Sequence, residues 1–262
     1  MPTRELWVTQ LGLRPYAEVL DLQRAAAAAR ISGDLPQDVL FLVEHPPVVT
    51  LGRGSRDPAH LTASPALLAA RGVELYEADR GGDVTFHGPG QLVGYPILDL
   101  ARHRQDLHWY LRQLEEVLIR ALATFQLAGT REAGRTGVWT DGRKIASIGV
   151  HVRQWVTWHG FALNVTTDLS YFDLMVPCGI PGVSMTSLEQ ELLRRADAPC
   201  LAPSPTLADD TARAVINATG ELFGLAPVHV ALEALALDTG AAPHAAAGAS
   251  TGTLTGIPMG TS

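Results

Sequence analysis

Short apolar runs broken by turn residues recur along the chain, and this pattern predicts a series of short strands. Residues 38–44 and 48–51 are β-prone and are separated by His45-Pro46-Pro47, which interrupts a strand. Asp141-Gly142 lies between two further β-prone runs, which is a strong signal for a β-hairpin. The predicted strands span residues 5–10, 38–44, 48–51, 73–78, 92–98, 138–140, 143–152 and 155–165.

Apolar side chains at helical spacing predict the clearest helix over residues 106–127. Pro15 in a first turn and Gly33 just beyond the end delimit a second helix over 15–30. Further helices are predicted over 64–72, 186–194 and 206–223. Because the strands follow one another through hairpins, we expect an α+β fold with a mixed or antiparallel sheet flanked by helices.

The composition changes at residue 231, where the chain becomes rich in Ala, Gly and Thr and loses any clear periodicity. We therefore expect one domain over residues 1–230 and a C-terminal tail over 231–262 that is disordered from about residue 237 onward.

Charge and cysteine usage exclude several classes of protein. The formal net charge of −7 argues against nucleic-acid binding by bulk electrostatics. No run of 18 apolar residues occurs, so we expect no membrane span, and the N-terminus lacks the apolar core of a signal peptide. Two cysteines, Cys178 and Cys200, make no disulfide framework and predict a reducing, cytoplasmic location.

One lysine, Lys144, occurs among 20 basic residues, and all the others are arginine. An amine can lose and regain a proton, whereas a guanidinium in a protein stays charged. Lys144 is therefore a candidate for proton transfer, and the alternative is an edge-strand lysine that discourages strand pairing.

Two loops are further candidates. Residues 80–91 hold four glycines and His87, and they form either a ligand-binding loop or two tight turns around a short strand. Cys178 lies between prolines and glycines, which is typical of a loop, but a buried structural cysteine is the usual alternative. Cys200 has a similar proline-flanked setting, so local sequence does not decide between the two cysteines.

The remaining histidines and aromatic residues give weaker signals. The positions of the two cysteines exclude a CxxC zinc site, and His45, His151 and His159 have no metal-ligand spacing. Trp155, Trp158 and Phe161 are expected in the core or in a pocket wall.

Together these segments resemble the lipoyl(octanoyl) transferase family, the octanoyl-[acyl-carrier-protein]:protein N-octanoyltransferases. The resemblance runs from about residue 44 to 188. It rests on EHPPVVTLGR at 44–53, RGG at 80–82, HGPGQ at 87–91, KIASIG at 144–149, HGFALNV at 159–165 and PCG at 177–179.

The resemblance implies the fold of biotin and lipoate protein ligases, which is like that of the class II synthetases. It implies that Cys178 carries an acyl thioester, that Lys144 is its catalytic partner, and that no cofactor or metal is needed. It also implies a substrate-binding set: Arg80, Gly81, Gly82, Asp83, Val84, Thr85, Phe86, His87, Ser147, Ile148, Gly149, Gly160, Phe161 and Ala162.

The implied activity is octanoyl transfer to lysines of apo lipoyl domains, the first step of protein lipoylation in endogenous lipoate synthesis. The implied partners are octanoyl acyl carrier protein as donor, and the lipoyl domains of 2-oxoacid dehydrogenase complexes and the glycine cleavage H protein as acceptors. We expect a monomer. An ATP-dependent lipoate or biotin ligase, a cysteine hydrolase and a binding-only module are the alternatives.

Overall fold

The computed structural model describes residues 4–55, 60–176, 182–195 and 205–238. The strands are β1 Arg4–Leu13, β2 Asp38–Glu44, β3 Val48–Leu51, β4 Glu74–Glu77, β5 Val84–His87, β6 Gln91–Ile97, β7 Val138–Thr140, β8 Arg143–Arg153, β9 Val156–Asn164 and β10 Leu225–His229. The α-helices are α1 Tyr16–Ser32, α2 Pro65–Ala70, α3 Leu107–Ala123, α4 Leu188–Arg195 and α5 Leu207–Phe223. Short 3-10 helices span Leu100–Arg102, Leu169–Leu174 and Leu232–Leu235.

A seven-stranded sheet forms the centre of the molecule, in the order β10-β1-β2-β6-β9-β8-β7. β1 runs parallel to both β10 and β2, whereas every other neighbouring pair is antiparallel. A second sheet has three strands in the order β4-β3-β5. The expected mixed sheet flanked by helices is therefore confirmed.

Apolar side chains cover both faces of the large sheet. On one face, α3 and α5 pack against residues such as Val8, Leu40 and Leu163. On the other face, α1 packs against Phe41 and Tyr95. This two-sided packing buries β2 and β9 along nearly their whole length.

Helix ends follow the expected signals. The C-cap of α1 is Gly33, whose φ of 90° lies in the left-handed region that favours glycine. Ser64 caps α2 by accepting a hydrogen bond from the Leu67 backbone, with Pro65 in the first turn. Asp106 caps α3 in the same way through the Trp109 backbone.

Some predicted bounds differ from those of the structure. Within the expected tail 231–262, Leu232–Leu235 form a 3-10 helix and Leu235 is buried against the α1 side of the core. Residues 239–262 lie outside the described residues. The helix predicted from residue 186 begins at Leu188, because the Thr186 backbone donates to the Lys144 carbonyl at 2.9 Å instead.

Candidate active site

A cavity of about 210 Å³ lies between the large sheet and β5 of the small sheet. Its floor follows β8 from Lys144 to Gly149 and the paired part of β9, where Gly149 lies opposite Gly160 and Ser147 opposite Ala162. Gly149 is five positions after Lys144, so this stretch of β8 is about 17 Å long at the usual rise of a strand. Lys144 lies at one end of the stretch.

Twelve members of the predicted substrate-binding set line this cavity, and Gly81 and Phe86 do not. Phe86 points the other way because side chains alternate along β5, and its ring stacks on Tyr171 at 4.6 Å. The Gly81 backbone instead donates to the Val150 carbonyl at 2.9 Å, which holds the glycine-rich segment against the edge of β8.

The glycine-rich segment 80–91 combines the two interpretations that the sequence left open. It contains a short strand, β5, flanked by turns, and three of the four β5 residues also line the cavity. Arg80 is buried beneath it and donates from Nη2 to the Thr50 carbonyl at 2.7 Å. Gly82 has a φ of 85°, a backbone conformation that glycine adopts without strain.

Lys144 is almost completely buried, with 1% of its surface exposed. Its Nζ lies 5.1 Å from the centre of the Trp139 ring, which is cation–π distance. A Cβ added at Gly137, whose φ is 137°, would come within 2.9 Å of the lysine Cε. The absence of a side chain at Gly137 therefore makes room for the lysine.

Residues 184–186 run parallel to β8 beside Lys144. The Lys144 backbone donates to the Ser184 carbonyl at 2.8 Å, and its own carbonyl accepts from Thr186 at 2.9 Å. This segment follows Cys178 by only a few residues, although Cys178 itself lies outside the described residues, as does Cys200.

Glu191 ties this segment to the lysine strand. Its buried carboxylate accepts two hydrogen bonds of 2.8 Å from Arg143, one of 2.5 Å from the Thr186 hydroxyl, and another from Arg194. Burial raises the pKa of Glu191, but the bonds from Arg143 and Thr186 outweigh burial and hold the pKa at about 2. Glu191 is therefore ionised at neutral pH.

A chain of side-chain amides crosses the site beneath the cavity. His87 Nδ1 bonds Gln91 Oε1 at 2.8 Å, Gln91 Nε2 donates to Asn164 at 2.9 Å, and Asn164 donates to the Thr186 carbonyl at 3.0 Å. All four residues are buried. The chain joins the β5 side of the cavity to the segment beside Lys144.

Polar rings surround the end of the cavity far from Lys144, and the sequence did not predict this feature. Tyr16 and Tyr95 line it together with His87 and His159. Burial lowers the pKa of His87 well below its usual value and raises the pKa of Tyr16 to about 12. Burial also lowers the pKa of His159, against the opposing effect of its 2.8 Å bond to Asp79. These groups are therefore uncharged at neutral pH.

The described histidines make other contacts than metal ligation. In the ranges that the structure describes, no cluster of three His, Cys, Asp or Glu side chains is placed to bind a metal ion. His151 stacks on Trp158 at 3.9 Å, and Phe161 lines the cavity, as expected for core and pocket-wall residues. Trp155, by contrast, is 37% exposed.

Comparison with known proteins identifies the family. Residues 15–201 match the family described as the lipoyl protein ligase A/B catalytic domain. An octanoyltransferase of Gloeobacter violaceus is 54% identical over 189 residues, which cover 68% of this chain and 82% of that protein. An octanoyltransferase of Chloroflexus aurantiacus is 49% identical over 237 residues, covering 89% of this chain and 100% of that protein. The chain belongs to the octanoyltransferase family. It is an acyltransferase.

Solved structures agree with this family on the fold. Protein Ta0514 of T. acidophilum, a candidate lipoate protein ligase with bound lipoic acid, matches with a TM-score of 0.69 and 16% identity, over 88% of this chain and 93% of that chain. Lipoate-protein ligase A bound with ATP gives a TM-score of 0.65 and 15% identity, over 89% and 92%. The expected likeness to lipoate protein ligases is therefore confirmed for the octanoyltransferase fold.

Among the residues that the structure describes, none of the helices is both long enough and apolar enough to span a bilayer.

The cavity of this octanoyltransferase is also lined by residues outside the predicted substrate-binding set. These are Tyr16, Val93, Tyr95 and the segment 134–136.

Proposed function

We propose that this chain transfers an octanoyl group from octanoyl acyl carrier protein to a lysine of apo lipoyl domains, through a thioester on Cys178. Octanoyltransferases about half identical over most of the chain support octanoyl transfer in lipoylation. The acceptors in this proposal are the lipoyl domains of 2-oxoacid dehydrogenase complexes and the glycine cleavage H protein.

The observation that carries the proposal is the position of Lys144. Its amine is buried at one end of a cavity whose lining includes the apolar residues Val93 and Ala162. Such a cavity suits a fatty acyl chain, which binds by burial of apolar surface. A buried amine at its end is suited to move protons where a thioester would react.

The path of the chain supports Cys178 as the nucleophile. Ser184 is hydrogen-bonded to Lys144, and Cys178 precedes Ser184 by six residues. The two α-carbons are therefore at most about 20 Å apart even if the segment is fully extended. This bound is compatible with the proposed pairing of Cys178 and Lys144.

The proposed reaction has two acyl transfers. The Cys178 thiolate, which the Lys144 ammonium stabilises, attacks the carbonyl carbon of the donor thioester. The bond from that carbon to the pantetheine sulfur breaks, and the departing thiolate takes a proton from Lys144.

In the second transfer, a lysine amine of the lipoyl domain attacks the acyl-enzyme carbonyl. The bond to Cys178 breaks and an amide forms, while Lys144 takes the proton that the amine releases. Conversion of a thioester to an amide is downhill, so the proposed reaction consumes no ATP. Arginine would supply the charge of Lys144 but not its proton transfer.

Intact mass spectrometry after mixing with octanoyl acyl carrier protein tests this proposal. We expect one octanoyl adduct, mapped to the peptide that contains Cys178, and transfer of the octanoyl group when an apo lipoyl domain is added. Cys178→Ser should abolish turnover, whereas Cys200→Ala, the matched cysteine control, should leave turnover near the wild-type rate.

The alternatives give different results in the same assay. Strict dependence on ATP and Mg²⁺, without an adduct, would indicate a ligase. Release of free octanoate without an acceptor would indicate a hydrolase. Wild-type octanoylation by the Cys178→Ser variant would refute the thioester route.

A further inference from the structure

The backbone of Lys144 is held in the sheet from both sides. On one side β7 pairs with β8, and Trp139 lies directly opposite Lys144. On the other side β9 pairs with β8 from Arg153 back to Ala146, and at Lys144 the segment 184–186 takes its place. The base of the lysine side chain is therefore fixed, but a flexible four-carbon stem still separates it from the amine.

Trp139 contacts the amine at the end of this stem. Opposite residues of an antiparallel pair direct their side chains to the same face of the sheet, so the indole and the lysine lie side by side. Nζ of Lys144 is 5.1 Å from the centre of the ring, and both residues are 1% exposed. An ammonium over an aromatic face is held most strongly where water is excluded, and tryptophan attracts it better than the other aromatic residues.

Gly137 closes the space around the same amine. A Cβ added at Gly137 would lie 3.4 Å from Nζ and 2.9 Å from Cε, so the bare backbone lies against the end of the lysine. The Gly137 amide donates to Glu115 Oε1 at 3.3 Å, and the buried Glu115 pairs with Arg131 at 3.0 Å. The chain before β7 is thereby anchored to α3 and keeps the glycine beside the amine.

Burial and the proposed chemistry make opposite demands on Lys144. Removal from water disfavours the charged form of an amine. The first acyl transfer needs that charged form, because the ammonium stabilises the thiolate and then gives a proton to the departing sulfur. An aromatic face attracts the ammonium much more than the neutral amine, so the ring opposes the effect of burial.

We propose that Trp139 is a positioning residue for Lys144: its ring holds the amine at one place in the site and favours the ammonium that the first acyl transfer uses. The proposal rests on the proposed function and adds a residue to it. Trp139 is not among the residues that line the cavity, so it acts through the lysine rather than on the acyl chain.

A ring that only fills space acts through its volume, whereas a ring that attracts an ammonium acts through the electron density on its face. Trifluorotryptophan separates these roles, because fluorine withdraws electron density from the face and nearly keeps the shape of the indole. The test therefore uses the full chain with trifluorotryptophan at position 139 alone.

The amine can be observed directly, because Lys144 is the one lysine of the chain. Protein labelled with carbon-13 at Cε of lysine gives one lysine signal, and its change with pH follows the proton on Nζ. We expect trifluorotryptophan at position 139 to lower the midpoint of this titration by about 1 pH unit. A midpoint that moves by less than about 0.3 pH unit overturns the proposal.

Trp109 provides the matched control. Its ring contacts Phe223 at 5.9 Å on the α3 side of the core and lies outside the cavity lining. Trifluorotryptophan at position 109 should leave the midpoint unchanged. An equal fall with the ring at position 109 would mean that the effect is not local, and it overturns the proposal.

Two substitutions give a second measure. Trp139→Phe keeps a weaker aromatic face and Trp139→Leu keeps none, so the midpoint should fall less in the first variant than in the second. Equal midpoints in the wild type and both variants contradict the role of the ring. The trifluorotryptophan protein decides the question if either variant does not fold.

Kinetics separate this inference from the proposed function. The alkaline decline of kcat for octanoyl transfer should move to lower pH together with the titration midpoint, while KM for the carrier-protein donor stays unchanged. A decline that stays in place while the midpoint moves overturns the catalytic part of the proposal. If the wild type transfers no octanoyl group, the proposed function fails; if it does and the midpoint does not move, only this inference fails.

Discussion

Replacing Glu191 by glutamine keeps the shape of the side chain and removes its charge, which makes it a sharp test of the bonds beside Lys144. The carboxylate is 1% exposed and bonds Arg143, Thr186 and Arg194. Its pKa falls from 4.5 to about 2, so the ionised form stabilises the fold by about 3 kcal/mol at pH 7. Loss of a partner from a buried pair costs about 3–5 kcal/mol, in the same range.

The sign of the pH dependence follows from the direction of this shift. Because the folded-state pKa of Glu191 is lowered, its stabilisation is fully present above pH 4.5 and is lost as the pH falls toward 2. We therefore expect Glu191→Gln to lower the free energy of unfolding by about 3 kcal/mol at pH 7 and by about 1 kcal/mol at pH 3. At pH 7 this corresponds to a Tm lower by about 6–12 °C for a domain of this size.

Urea unfolding followed by tryptophan fluorescence at both pH values measures this difference. Glu116→Gln is the matched control, because Glu116 pairs with Arg120 and Arg131 at the surface, and its loss should cost less than about 1 kcal/mol. The reasoning is wrong if Glu191→Gln costs less than about 1 kcal/mol at pH 7, or if its cost is the same at pH 3.

Three further variants test other parts of the structure. Lys144→Arg should reduce kcat for octanoyl transfer by about 100-fold or more while the protein stays folded, and a rate near wild type would leave the amine only an electrostatic role. Asp38→Asn should lower the free energy of unfolding by about 3 kcal/mol, because it removes the buried carboxylate that bonds both Arg30 and His103 and leaves Arg30 only the 3.6 Å contact with Asp99; urea midpoints test this. Gly137→Ala should destabilise the fold by about 1–3 kcal/mol and lower kcat, because the added Cβ meets the Lys144 Cε; Gly142→Ala, with a φ of 75° and nothing within 4 Å, is the control that should keep kcat.

Local signals were sufficient wherever neighbouring residues determine the structure. The bounds predicted for 38–44, 48–51 and 138–140 match β2, β3 and β7, since Pro46-Pro47 and the adjacent turns delimit them. Asp141 and Gly142 both have positive φ, as a tight hairpin turn requires. These elements depend on backbone preferences that are written within a few residues.

Features that depend on distant parts of the chain were not predicted. β10 forms by pairing with the neighbouring strand β1, from Arg4 opposite Leu225 to Val8 opposite His229, and these two strands are far apart in the sequence. The short sequence of β10 carries no strong periodicity. Tyr16 and Tyr95 meet because α1 packs on β6, which no local pattern reveals. Glu191 is a charged residue, so its sequence gives no sign that it is buried. Its burial depends on hydrogen bonds from Arg143, which lies 48 residues earlier in the chain.

The chain of amides from His87 through Gln91 and Asn164 to the Thr186 carbonyl gives the site a mechanical property. Each member holds the next in a single orientation, so the acyl-binding end and the lysine end share one rigid frame. Substitutions at the two ends are then expected to act jointly, because groups in one hydrogen-bond network do not contribute independently. An engineer who reshapes the cavity for a different acyl chain would therefore need to retune the lysine end as well.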